Sequence, residues 1–122
     1  MSDNTFRTDG TLDTFPNDFQ NRDYDIEFVA VEFTSVCPMT GQPDFGTITV
    51  RYAPRERCIE LRSFKYYLFT FRNRGVFYEN VVNEICGDIV AAIAPRRVTV
   101  IGDFNARGGI TARITVSAGA EA

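Results

Sequence analysis

A thiol and a carboxylate stand seven residues apart in the stretch Glu32-Phe33-Thr34-Ser35-Val36-Cys37-Pro38-Met39-Thr40-Gly41-Gln42-Pro43-Asp44. Proline and glycine punctuate this stretch, which reads as a loop over 33–43. A cysteine here lies off any apolar stripe. The thiolate is the nucleophilic form, and an ordinary thiol with a pKa of about 8.5 is only partly ionised at neutral pH. A cation or hydrogen-bond donor must lower that value. Asp44 would raise it, so a useful Asp44 acts as a proton donor or relay. The competing reading of Cys37 is a loop thiol without chemistry. Cys86 falls on an apolar helical stripe and reads as core. Cys58 alternates with Ile59 and Leu61 in a short extended piece and reads as structural.

A second group is Glu60-Leu61-Arg62-Ser63-Phe64-Lys65-Tyr66-Tyr67. Arg62 and Lys65 are three apart at a helix start, so they share a face and could hold phosphate there. Two solvated charges are the alternative. Glu79 opens a further helix, where a glutamate serves either as a partner of the helix dipole or as a carboxylate accepting from an amidine-like edge such as that of guanine. The run Arg107-Gly108-Gly109 matches no phosphate loop. Neither GxGxxG nor GxxxxGK[ST] occurs, so any dinucleotide binds outside a Rossmann frame.

These groups need a scaffold. Residues 24–32 alternate, with Tyr24, Ile26, Phe28 and Ala30 on one face and Asp25 and Glu27 on the other. Residues 45–52 alternate again, with Ile48, Val50 and Tyr52 opposing Thr47, Thr49 and Arg51. Both patterns predict half-buried strands. Residues 53–57 read as a polar turn around Pro54. Phe64, Tyr67, Leu68 and Phe71 at i, i+3, i+4 and i+7 predict a helix over 63–73, stopped by Gly75. Val82, Ile85, Cys86, Ile89 and Ile93 predict a second over 78–94, ended by Pro95. Val98, Val100 and Phe104 share one strand face, and Ile110, Ala112, Ile114 and Val116 another. Gly108–Gly109 turns between them. The order β-β-α-α-β-β predicts an α+β unit: a four-stranded antiparallel sheet with two helices on one face. Residues 1–22 read as an extended arm that is ordered only where it docks, 23–118 as the catalytic domain and 119–122 as a tail. The sheet has open edges, which pairing with another subunit would close.

Composition narrows the chemistry. The chain has 122 residues, 44% apolar and 24% charged, which excludes wholesale disorder. A net charge of −3 disfavours a phosphate-gripping nucleic-acid partner. No apolar run is long enough for a membrane span. Residues 1–9 lack the basic-then-apolar layout of a signal peptide. Three cysteines at irregular spacing predict no disulfide framework and fit a reducing cytoplasm. With no histidine, His-based triads and Cys/His zinc sites are excluded, and no metal is expected. Lys65 is the only lysine among 13 basic residues, so its position carries information.

The stretches 32–38, 41–45 and 60–67, with Phe71-Arg72-Asn73, Tyr78-Glu79 and Arg107-Gly108-Gly109-Ile110, resemble the NADPH-dependent nitrile reductases of queuosine biosynthesis. The likeness is to the short, single-domain reductases of 7-cyano-7-deazaguanine (preQ0), and it covers about residues 21–110. It implies the tunnelling fold (T-fold), a cytoplasmic homo-oligomer of two stacked rings closed through sheet edges, and active sites between subunits. It also implies reduction of preQ0 to the 7-aminomethyl compound (preQ1) with two NADPH. By matching position, Cys37 is the nucleophile that forms a covalent thioimide and Asp44 the acid. Ile59, Glu60, Leu61, Tyr78 and Glu79 bind the deazaguanine, and Arg62 and Lys65 bind NADPH. Arg62 stands where lysine is usual and keeps the charge. Tyr78 stands where many members have histidine; a phenol with a pKa of about 10 donates a hydrogen bond more readily than it shuttles a proton. The rivals are a T-fold amidinotransferase acting on a nitrile in tRNA, which needs the cysteine but not the basic pair, and a non-catalytic purine-binding module. The metal-dependent cyclohydrolases of the same fold are disfavoured for want of a histidine ligand.

Overall fold

The computed structural model describes residues 8–119; residues 1–7 of the arm and 120–122 of the tail lie outside the described residues. Strands β1 (Thr14–Pro16), β2 (Ile26–Val36), β3 (Pro43–Ala53) and β4 (Arg57–Ile59) precede helices α1 (Leu61–Phe69) and α2 (Tyr78–Ile93). Strands β5 (Arg97–Arg107) and β6 (Ile110–Ala118) follow. The four long strands form one sheet in the order β2-β3-β5-β6, every neighbour antiparallel. Alternation decides which face is dry. Ile48, Val50, Tyr52, Val98 and Val100 are buried against Phe64, Tyr67, Leu68 and Phe71 on the α1 side and Val82, Ile85, Cys86, Ile89 and Ile93 of α2. The expected two-layer α+β unit is thus present.

Three departures from the sequence expectation have physical causes. The expected loop over 33–43 is shortened from both ends, because β2 continues to Val36 across a bulge and β3 already begins at Pro43. Ala30 pairs with Ile48 and Phe33 with Gly46, so Val31 and Glu32 together oppose Thr47. This extra residue changes the parity of the inward side chains from even (Ile26, Phe28, Ala30) to odd (Phe33, Ser35). The true loop is only residues 37–42. Next, α1 begins two residues before the expected start. Glu60 caps it, Oε1 accepting from the Ser63 N–H at 2.8 Å and Oε2 from the Arg62 N–H at 2.9 Å. Past Phe69 the chain tightens into turns bonded three residues back, which still bury Phe71. Finally, Ile110, expected on the core face of β6, is 73% exposed beside the hairpin turn; the inward face starts at Ala112.

The expected polar turn and extended Cys58 piece include β4, and the arm docks on it within the same chain. Phe15 pairs with Cys58 in the β1–β4 ladder. Buried Asn17 donates to the Arg55 carbonyl at 2.9 Å and accepts from the Tyr24 hydroxyl at 2.6 Å. No helix of the described residues is long and apolar enough to cross a membrane.

Candidate active site

The β2–β3 hairpin brings the two reactive groups together. Cys37 is the first residue after β2 and Asp44 the second of β3. The loop closes on itself, the Cys37 N–H donating to the Gln42 carbonyl and the Gly41 N–H to the Cys37 carbonyl, both at 2.8 Å. Asp44 sits directly across the ladder from Ser35. The Cys37 thiol is half-buried. Its pKa is held below the ordinary thiol value, first by a hydrogen bond from the Thr40 hydroxyl, then by the backbone N–H groups of Met39 and Thr40; burial and the Asp44 charge push the other way. The donor that sequence reasoning required is therefore the loop itself.

Asp44 is only 6% exposed and is met from two other elements. From β5, the Arg107 guanidinium reaches its Oδ1 at 2.7 Å and also bonds the Pro43 carbonyl and Gln42 Oε1. From α2, the Tyr78 hydroxyl donates to the same Oδ1 at 3.0 Å. Burial raises the Tyr78 phenol, and Asp44 raises it further, so Tyr78 stays a neutral donor. Its ring lies flat on Phe104, centroids 3.8 Å apart and planes 5° apart. Gly46 makes room for that stack: a Cβ there would stand 2.5 Å from the Asp103 carbonyl and 3.0 Å from the Phe104 ring. The Thr34 hydroxyl bonds the Asp44 carbonyl at 2.7 Å and fixes the backbone beneath the acid.

The remaining expected residues divide. Glu79 is exposed in the first turn of α2, next to Tyr78. Ile59, Glu60, Leu61, Arg62 and Lys65 lie toward the opposite end of β3: the Ile59 N–H donates to the Tyr52 hydroxyl at 2.9 Å, and Phe28, the cross-strand partner of Val50, packs on Phe64. Asp44 and Tyr52 are eight residues apart on one strand, about 26 Å. Ile59 is buried, Leu61 is 58% exposed, and the Glu60 carboxylate is engaged on the α1 N-terminus. Arg62 and Lys65 border a groove of about 600 Å³ between α1 and the β2 edge, with Arg72 farther along and Phe28, Phe64, Leu68 and Phe69 as its apolar lining. The Lys65 ammonium stands 5.0 Å from the Tyr66 ring centroid, and Arg72 covers Phe69 at 3.9 Å. Cations bordering an aromatic lining suit an anionic nucleotide.

Sequence reasoning assigned no site role to Arg107 or Thr40. Arg107 stood out only as the residue before Gly108–Gly109, whose positive φ values of 60° and 80° make the β5–β6 turn. Its meaning depends on β3 pairing with β5, which brings that turn to the Asp44 end of the sheet. Thr40 follows Cys37 by three, the span of one tight turn.

The same architecture occurs in a solved protein, the archaeosine synthase QueF-Like in its apo form. It superposes with a TM-score of 0.69 over 80% of this chain and 93% of that chain at 22% identity. This is a tunnelling-fold domain with a thiol–carboxylate pair at the end of one hairpin. The chain belongs to the QueF-like protein family, whose model matches residues 43–122. It is similar to the NADPH-dependent 7-cyano-7-deazaguanine reductase of Chlorobium luteolum (strain DSM 273 / BCRC 81028 / 2530), 59% identical over 91% of this chain and 96% of that one. The reductase of the same name from Anaeromyxobacter sp. (strain K) is 56% identical over 88% of each.

Proposed function

We propose that the chain is a cytoplasmic, NADPH-dependent reductase that converts the nitrile of preQ0 to the aminomethyl group of preQ1, in queuosine biosynthesis. The observation that carries this reading is a donor-cradled Cys37 one hairpin away from a buried Asp44, in a chain 56–59% identical to reductases of that name. A nitrile is a poor hydride acceptor. The Cys37 thiolate adds to the nitrile carbon, one C–N π pair moves to nitrogen, and Asp44 supplies the proton, leaving a neutral thioimide. Tyr78 and Arg107 hold the acid in place. Conversion of nitrile to amine is a four-electron change. NADPH, when bound, supplies it as two hydride equivalents, and Arg62 and Lys65 are the residues to hold its phosphates. Glu79 takes the guanine-like edge; Ile59, Glu60 and Leu61 contact the deazaguanine.

One chain does not bring Cys37 and the 59–65 segment together. This supports a homo-oligomer in which one subunit offers the thiol and its neighbour the basic face, with β2 and β6 as joining edges and two stacked rings as the assembly. Incubation of the protein with preQ0 alone is expected to raise the intact mass by one preQ0 per chain, mapped to Cys37 and absent in Cys37→Ala. Addition of NADPH is expected to consume nicotinamide absorbance, two equivalents per preQ0. An adduct on Cys58 or Cys86, or turnover by Cys37→Ala, sinks the assignment. An amidinotransferase would leave NADPH untouched.

A further inference from the structure

We propose that Ser35 is a positioning residue for Asp44, its hydroxyl donating a hydrogen bond to the carboxylate as Asp44 gives its proton to the nitrile nitrogen. This rests on the reading of Asp44 as the acid. Ser35 is completely buried, and its Oγ has no hydrogen-bond partner among the described residues. A buried hydroxyl left without a partner costs free energy that an alanine would not. The neighbouring hydroxyl, Thr34, is already committed to the Asp44 carbonyl. Ser35 pairs directly with Asp44 across the β2–β3 ladder, and both side chains are on the buried face. Directly opposed residues hold their Cβ atoms about 4.5–5.5 Å apart. Rotation about one serine bond therefore brings Oγ within reach of the carboxylate.

At rest the Asp44 Oδ1 has its donors from β5 and α2, and Ser35 contributes nothing. During thioimide formation the S–C bond forms, the nitrogen takes the proton and negative charge builds on Asp44. A donor that engages only then lowers the barrier without tightening the resting site. Serine rather than alanine at the floor of this hairpin is explained by that moment.

The test measures thioimide formation by mass in five proteins: parent, Ser35→Ala, Ser35→Thr, Asp44→Asn and the Ser35→Ala/Asp44→Asn double variant. Ser35→Ala is expected to slow the adduct about tenfold, the worth of one charge-assisted hydrogen bond. In the Cys37→Ala background it should leave preQ0 affinity unchanged, and it should hold or raise the melting temperature. In the Asp44→Asn background it should add no further loss, because its effect runs through the acid. Ser35→Thr, which keeps the hydroxyl, is expected to retain the parent rate. Equal slowing in both backgrounds, a parent-like rate in Ser35→Ala, or a loss of rate that tracks a loss of melting temperature would overturn the proposal. No adduct in the parent overturns the underlying reading as well; a parent adduct with an unaffected Ser35→Ala overturns this inference alone.

Discussion

Cys37 is activated by its own turn rather than by a neighbouring cation, so its chemistry is set by a few short donors. Replacing Thr40 by Val removes the leading one and keeps the β-branched shape. The hydroxyl favours the thiolate, so its loss raises the thiol pKa. Alkylation of Cys37 by iodoacetamide at pH 7 is expected to slow severalfold, with its pH profile moved to higher pH; an unmoved profile would show that Thr40 is not the donor. Tyr78 contributes a ring and a hydroxyl that separate cleanly. Tyr78→Phe keeps the stack on Phe104 and loses the bond to Asp44, for about 1 kcal/mol of stability in urea titration and a slower adduct. Because burial and Asp44 raise the phenol, Tyr78 adds no titration near neutrality. Tyr78→His is expected to add one near the ordinary imidazole value of about 6.5, protonated below it, visible in the pH profile of NADPH oxidation.

Glu60 shows how an element's boundary can borrow a site residue. Burial pushes its carboxyl up, but the N–H groups of Arg62 and Ser63, then the Arg62 guanidinium, outweigh it and leave the net value lowered. A depressed acid contributes stability above its unfolded value of about 4.3 and loses it as pH falls through the folded value. Glu60→Gln is therefore expected to cost about 0.5–1 kcal/mol at pH 7 in urea titration, with the difference closing below about pH 4; a constant difference across pH would remove the charged cap. Sequence periodicity carried much of the fold here. Strand β3, both helical stripes and the β5–β6 turn follow from spacing alone. The continuation of β2 to Val36 did not, since a bulge breaks alternation and looks like a loop. The early start of α1 depended on a glutamate cap, outside the commoner serine, threonine, aspartate and asparagine signals. Cys37 and Asp44 were legible as a pair because the hairpin is local, whereas Arg107 acts on Asp44 across 63 residues of chain.

For the whole molecule, the main fact is that Asp44 and Tyr52, whose hydroxyl holds the Ile59 N–H, stand about 26 Å apart along β3, so the thiol end and the start of the 59–65 segment are separated within one chain. If each site joins two chains, then two defective chains can repair one another. Cys37→Ala and a Lys65→Ala variant, each inactive or nearly so, are expected to regain NADPH oxidation when denatured together and refolded as mixed assemblies. Separately refolded controls stay silent; a mixture as silent as its parts would place both halves of the site within one chain. Sedimentation is expected to show a species larger than a monomer, and Val31→Lys, at an exposed position on the β2 edge, to reduce it to a folded, inactive monomer. The bulge on that edge also bears on how the gene can drift. Val31 and Glu32 share one partner position, so loss of either codon leaves Ala30 and Phe33 facing the same way as before and removes only a bend. Loss of a codon within 37–42 instead moves the sulfur away from its donors. Length variation among descendants of this gene should therefore gather at 31–32 and spare the six residues of the turn, and gaps recurring inside the turn in active descendants would contradict this.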